Sequence, residues 1–303
     1  MSMQTLADFE KFSTFSSPYG PGIALMAPWD DEIRAHVAAN GIVAIGFDRF
    51  FPGGPPTDLS FLAEVPHLLQ FDMFVARPDT KLEPIYALTN LRRLIFPATR
   101  GVEFDFTRFP GLEACNLFWD KGLASILEVA SLKRLDLAKY AARDASGLGD
   151  LANLEQLTLQ NPKFDSFDGA TPLRSLREVF IKSSRCLTSL RGIQAWSGLE
   201  RLHLSSCTKL TDISAVAGLA NLQFFSAEPA TIASLRPLAG LTKLSKISLT
   251  GKKFDVLDRD LSPLVEIRSL RWGGIHITPW HPHFKPTYHE TFELIQRRDA
   301  SPR

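Results

Sequence analysis

The chain has 303 residues, 45% of them hydrophobic, and 34 basic side chains against 33 acidic ones, a net charge of +1. That is ample apolar material for a core, and the near-neutral balance excludes a general affinity for nucleic acid or anionic membranes. No run of about 18 apolar residues exists to span a membrane, and three cysteines, an odd number, point to free thiols in a reducing, cytoplasmic setting.

The first residues, MSMQTLADFEKF, lack the basic-then-apolar layout of a secretory signal. FSSPYGPGIALMAP (15–28) is punctuated by Gly and Pro and reads as extended chain covering the exposed core of a first repeat. PWDDEIRAHVAANG (28–41) reads as a helix: Asp30 is placed to cap it, acidic residues fill its first turn, and Gly41 stops it. FFPGGPPTD (50–58) reads as an inserted loop.

From residue 39 onward one frame, LxxLxxLxL, recurs: ANGIVAIGF (39–47), VPHLLQFDM (65–73), LTNLRRLIF (88–96), FPGLEACNL (109–117) and VASLKRLDL (129–137). It continues as LANLEQLTL (151–159), LRSLREVFI (173–181), WSGLERLHL (196–204), LANLQFFSA (219–227), LTKLSKISL (241–249) and LVEIRSLRW (264–272). The seventh position falls on Ile45, Phe71, Leu94, Cys115, Leu135, Leu157, Val179, Leu202, Phe225, Ile247 and Leu270, in steps of 20 to 26 residues. The apolar–x–apolar end of each unit is the period-2 mark of a strand with one buried face. No single unit can bury that face alone, so the units must stack into a parallel ladder. The step is too short for a crossover α-helix, so short turns or 3-10 segments should run the chain back. These copies resemble the leucine-rich repeats, most closely the internalin type with 22-residue units. The resemblance implies a mostly β, α/β-repeat solenoid with about eleven parallel strands on a concave face. It implies caps at 1–41 and 276–303 around repeats at 42–275. The family's usual turn asparagine is replaced here by Thr99, Asp120, Tyr140, Pro162, Ser184, Cys207 and Lys252, which predicts uneven turns.

Side chains flanking the inward strand positions should face out. They include Asp72, Phe74, Arg93, Asn116, Phe118, Arg134, Asp136, Thr158, Glu178, Phe180, Lys182, Arg201 and His203. Mixed charge with aromatic and arginine anchors is the composition of a protein-binding face, whereas a nucleic-acid groove would be basic throughout. Eleven strands at ~4.8 Å make a trough on the order of 50 Å, long enough for a specific protein interface. Outward phenylalanines could also be ordinary sheet residues stacked on each other. Four histidines, His276, His281, His283 and His289, crowd the tail beside Glu290, but HETFE is not a zinc-binding H-E-x-x-H and the cluster reads as a polar cap. No nucleotide, nucleophile-elbow or C-x-x-C motif is present, so neither a catalytic residue, a metal nor a cofactor is expected.

The expectation is therefore a non-enzymatic, cytoplasmic scaffold holding one protein partner along its strands. A small free-standing rod of this kind is similar to immunity proteins of bacterial toxin systems, whose partner is a toxin domain that they occlude. Two readings stand beside it: a regulatory subunit docked on a cellular enzyme, and a metal-dependent hydrolase built on the histidine-rich tail.

Overall fold

The computed structural model describes residues 11–47, 51, 54–228, 231–251, 255–278 and 283–300. The chain forms two compact units, Met1–Leu132 and Lys133–Arg303.

In the first unit, β1 (Phe12–Ser17) and β2 (Gly20–Leu25) form an antiparallel hairpin. The segment is extended and lies against the first repeat, as expected, and it does so as two strands folded back on each other. Ser17 Oγ accepts from the Tyr19 amide at 3.1 Å and donates to the Gly20 carbonyl at 2.9 Å, while Gly20 takes a φ of +139° that disfavours a side chain. Helix α1 (Asp31–Ala39) starts as its sequence indicates, with the Asp30 carboxylate accepting from the Glu32 and Ile33 amides at 3.1 and 3.0 Å. Gly41, at φ +58°, ends it. Four strands then add in parallel: β3 (Ala44–Phe47), β4 (Gln70–Asp72), β5 (Arg93–Ile95) and β6 (Ala114–Phe118). Their register aligns Ile23, Ile45, Phe71, Leu94 and Cys115, all buried.

The second unit repeats the scheme through β7 (Arg134–Ala138), β8 (Gln156–Gln160), β9 (Glu178–Lys182), β10 (Arg201–Ser205) and β11 (Phe224–Glu228). After β12 (Thr231–Ile232) come β13 (Lys246–Thr250), β14 (Asp255–Val256), α2 (Ser262–Glu266), β15 (Ile275–Thr278) and α3 (Tyr288–Ala300). Leu135, Leu157, Val179, Leu202, Phe225 and Ile247 stand side by side in the parallel ladder, and none is measurably exposed. The return segments are 3-10 turns, as the short period requires, at 193–195, 214–218 and 236–238. Near the start of each, a side chain accepts the amide two residues on: Ser189 from Arg191, Asp212 from Ser214, Ser234 from Arg236. Asp58, Asp105 and Asp120 do the same in the first unit. This ladder of side-chain caps is written in the sequence as a recurring Asp or Ser ahead of the turns.

The ladder departs from the frame at its last repeat. Leu270 is buried but begins no strand: Ile275 and Ile277, not Leu270 and residue 272, pair with Ile247 and Leu249. Ser269, Arg271 and Gly273 therefore lie off the strand face. Gly274 permits the shift, because a Cβ there would sit 2.1 Å from the Ser245 carbonyl oxygen. The backbone makes the close approach that any other residue would block.

The turns are also more even than the missing asparagines suggest. Lys139, Asn161, Ser183 and Ser206, one per successive repeat, all take left-handed backbone between φ +52° and +59°. The amides of Lys139, Asn161 and Ser183 each reach the carbonyl at the end of the next strand at 2.7 Å, and Ser206 bonds Glu228 in the same way. One position further on, Tyr140, Pro162, Ser184 and Cys207 turn inward and are buried. Main-chain pairing thus does the work expected of an asparagine side chain; Lys252 lies outside the described residues. The tail helix α3 runs 13 residues. Thr287 and Glu290 form a reciprocal capping box at its start, with Thr287 N donating to Glu290 Oε2 at 2.7 Å and Glu290 N to Thr287 Oγ1 at 3.3 Å. At its end the Arg298 guanidinium donates to the Val265 and Ile267 carbonyls at 2.9 and 2.7 Å and to that of Leu270. Carbonyls near the last repeat are thereby satisfied.

Candidate protein-binding face

On the second unit, alternation along the strands delivers aligned rows to the outer face. Arg134, Gln156, Glu178, Arg201, Phe224 and Lys246 make one row, and Asp136, Thr158, Phe180, His203, Ser226 and Ser248 the next. The centre of this face is an aromatic stack. The His203 ring lies 4.2 Å from that of Phe180 at an interplanar angle of 13°, and 4.8 Å from Phe224. Lys182 Nζ stands 5.3 Å from the Phe180 ring and Lys246 Nζ 5.5 Å from Phe224, within cation–π range. Glu178 ties the rows together: it accepts from Arg201 Nε at 2.8 Å and lies 3.3 Å from His203 Nε2. That bond is the main reason the Arg201 guanidinium is held above its ordinary range. Burial pushes His203 below its usual 6.5, outweighing the carboxylate beside it. Arg134 Nε donates to Gln156 Oε1 at 2.7 Å. Arg134, Lys182 and Arg201 are exposed, while Asp136, Thr158, Glu178, Phe180 and His203 are half-buried. Phe180 and Phe224 are covered in part by His203, so sheet stacking, the alternative left open by the sequence, accounts for some of their presence. What results is a rigid aromatic–cationic platform, suited to planar or apolar contacts flanked by carboxylates.

The first unit carries the other five candidates. Phe74 and Phe118 are 62% and 39% exposed, whereas Arg93, Asp72 and Asn116 are half-buried. Asp72 Oδ1 lies 3.4 Å from Arg93 Nε, and Asp72 Oδ2 accepts from Gln70 Nε2 at 2.6 Å. Burial raises the Asp72 carboxyl above its ordinary range, with Arg93 opposing. Gln70 and Ile95, on the same strands as Asp72 and Arg93, are buried. Sequence reasoning missed a cleft beside Phe74. It measures about 500 Å³ and is lined by Ala24, Phe47, Phe51, Gly54, Pro55, Phe74 and Val75. Its signal was the phenylalanine- and proline-rich insertion at 50–58.

The tail histidines do not converge where they are described. His283 Nε2 pairs with Asp255 at 3.1 Å, His289 Nε2 with Glu293 at 3.1 Å, and His276 sits on β15 opposite Ser248. His281 lies outside the described residues. No group of three metal-ligating side chains occurs among the described residues, and no described helix is long and apolar enough to cross a membrane.

No protein-family profile and no curated protein matches the chain. Among solved structures, TLR13 in a TLR13–ssRNA13 complex is 16% identical, with a TM-score of 0.53, over 78% of this chain and 40% of that one. An internalin from Listeria monocytogenes is also 16% identical, covering 85% of this chain and 82% of its own, with a TM-score of 0.48. A chain of the Drosophila Toll–Spatzle complex is 17% identical, with a TM-score of 0.46, over 80% of this chain and 40% of its own. The fold is that of a leucine-rich repeat solenoid, mostly β, with parallel strands and 3-10 turns.

Proposed function

We propose that the chain is a non-enzymatic scaffold that binds one protein partner through its outer strand faces. The observation that carries this reading is the Phe180–His203–Phe224 stack, ringed by Lys182, Lys246, Arg201 and Glu178. Aromatic surface kept in place by neighbouring strands loses little entropy on binding, and cations at its margin give orientation. An RNA complex is a property of TLR13 and a Spatzle complex one of Toll; for this chain the mixed charge of the face favours a polypeptide over a polyanion.

The partner on this reading is a toxin domain whose active cleft the scaffold occludes, in the manner of an immunity protein, and the setting is the cytoplasm. Support for the setting comes from Cys115, Cys186 and Cys207, none in a disulfide, with burial pushing the Cys207 thiol up to about 11. The test pairs the chain with the product of an adjacent toxin gene. Reversing charge at Arg134, Asp136 and Arg201 together should weaken that complex at least ~30-fold, about 2 kcal/mol, while circular dichroism stays unchanged. Unaltered affinity in a folded triple variant would remove the strand face of the second unit from the interface.

A further inference from the structure

The turns that follow β8, β9 and β10 carry cations in register and no acid of their own. Lys163, Lys182, Arg185 and Lys209 are all exposed there. Residues 160–164, 182–188 and 205–211 include no aspartate or glutamate. Main-chain bonds stack the turns: the Asn161 amide donates to the Lys182 carbonyl and the Ser183 amide to that of Ser205, each at 2.7 Å. Lys163 and Arg185, one repeat apart, therefore hold the same place in successive turns, and exposed hydroxyls of Ser183, Ser206 and Thr208 lie among the cations.

Elsewhere successive repeats set opposite charges against each other, as in Arg92–Glu113, Arg177–Glu200 and Arg236–Asp260. Like charges in register repel, so folding alone does not call for the arrangement in these turns. Among the described residues none of the four cations is ion-paired; Lys182 lies over the Phe180 ring, and Lys163 Nζ is 3.4 Å from Asn161 Oδ1. The acids that bound the turns are engaged or marginal. Asp212 accepts from Ser189 Oγ at 2.6 Å and from the Ser214 amide at 2.8 Å, and Asp165 lies near Arg191. The turn after β7 also carries Lys139, but there Asp144 stands against Arg143, and on the other side Glu228 ends β11.

We propose that these three turns dock an acidic segment of the partner protein, whose carboxylates meet Lys163, Lys182, Arg185 and Lys209. Turns held by main-chain bonds present the cations from fixed positions, and the hydroxyls add uncharged donors to the carboxylate oxygens. Three turns at strand spacing make a strip ~10 Å wide, the reach of about three extended residues. Asp144 and Glu228 at its margins close it to the longer run of phosphates that a nucleic acid brings. Lys182 belongs both to the strip and to the aromatic platform, so one polypeptide can cover the two. The proposal rests on the protein-binding reading above and adds to it a second surface and the charge of what that surface takes.

The probe is N-acetyl-hexaglutamate amide, titrated into the ¹⁵N-labelled full chain at fixed salt. The amide signals of Lys163, Ser183, Arg185 and Lys209 should shift saturably. Lys163→Glu, Arg185→Glu and Lys209→Glu together should weaken binding at least ~10-fold with circular dichroism unchanged, since all three side chains are exposed. Lys81→Glu, Arg100→Glu and Lys121→Glu, at exposed positions of the first unit, change the net charge equally and should weaken it less than ~2-fold. Equal losses in the two triple variants, or shifts confined to other residues, would overturn the proposal. Tighter binding of an oligouridylate of the same charge at these amides would assign the strip to nucleic acid and overturn it too. The turn variant should also lose affinity for the protein partner; full affinity there counts against the strip. If hexaglutamate misses the strip while the Arg134, Asp136 and Arg201 variant still loses the partner, the strip alone fails. If hexaglutamate binds as expected yet that variant keeps its partner, the strand-face reading fails and the strip stands.

Discussion

His203 shows how one side chain couples stability to recognition. It is packed between two phenylalanine rings, and burial holds it below its ordinary 6.5 despite Glu178 at 3.3 Å and with Arg201 and Lys182 nearby. The unfolded chain therefore binds more protons than the folded one between the lowered value and 6.5. Stability rises with pH through that window and is lost as pH falls through it. Urea midpoints measured from pH 5 to 8 should decline on the acid side in the parent chain. His203→Phe, which keeps an aromatic ring in the stack, should remove that part of the decline. An identical pH dependence in both proteins would mean the ring is not buried in its neutral form. The same residue was legible in the sequence as an outward strand position with Phe180 and Ser226 beside it, as the register confirms, but the approach of Phe224 was not. Phe224 pairs with Arg201 in the register and reaches the imidazole diagonally, its ring 4.8 Å away, which only the folded chain reveals.

At the scale of the element, strands and return turns place different demands on backbone. Gly192 opens the 3-10 turn at 193–195 with φ +97°, and a Cβ there would lie 1.9 Å from the Phe167 carbonyl oxygen. Gly101 is also left-handed, at φ +66°, but nothing lies within 4 Å of its Cβ direction. Gly101→Ala should thus lose only the conformational term, on the order of 1 kcal/mol. Gly192→Ala adds a backbone collision and should lose more, about 1–3 kcal/mol beyond that. Denaturant midpoints of the two variants decide it; equal losses would mean the turn at Gly192 relaxes freely. The shift of the last strand to Ile275–Thr278 belongs at this scale too. Leu264, Ile267 and Leu270 keep the apolar frame and are buried, but frame alone does not say that the chain makes an extra turn before rejoining the sheet.

In the whole molecule, each repeat touches chiefly its neighbours in sequence, so damage should stay local. Leu202 is fully buried between Val179 and Phe225. Leu202→Ala removes that packing at a cost of about 2–5 kcal/mol. Amide hydrogen exchange should then accelerate in β9, β10 and β11 and leave the strands of Met1–Leu132 near their parent rates. Uniform acceleration across both units would instead mean that the chain unfolds as one cooperative block.

What the amino-acid order determined alone was the repeat: an apolar residue every 20 to 26 positions, alternation at the end of each unit, and too few residues between for a helix. These are local and periodic properties, and stacking is the one way to bury them, so strand order and inward positions came directly from them. Folding decided what depends on residues far apart in the chain. The hairpin of β1 and β2, the packing of Phe15 over Gly22, the sharing of Glu178 between Arg201 and His203, and the late final strand all arise where separate segments meet. A periodic pattern specifies which face of each strand turns inward; exposure on the other face is set by the particular side chains of adjacent strands, and those change from one repeat to the next.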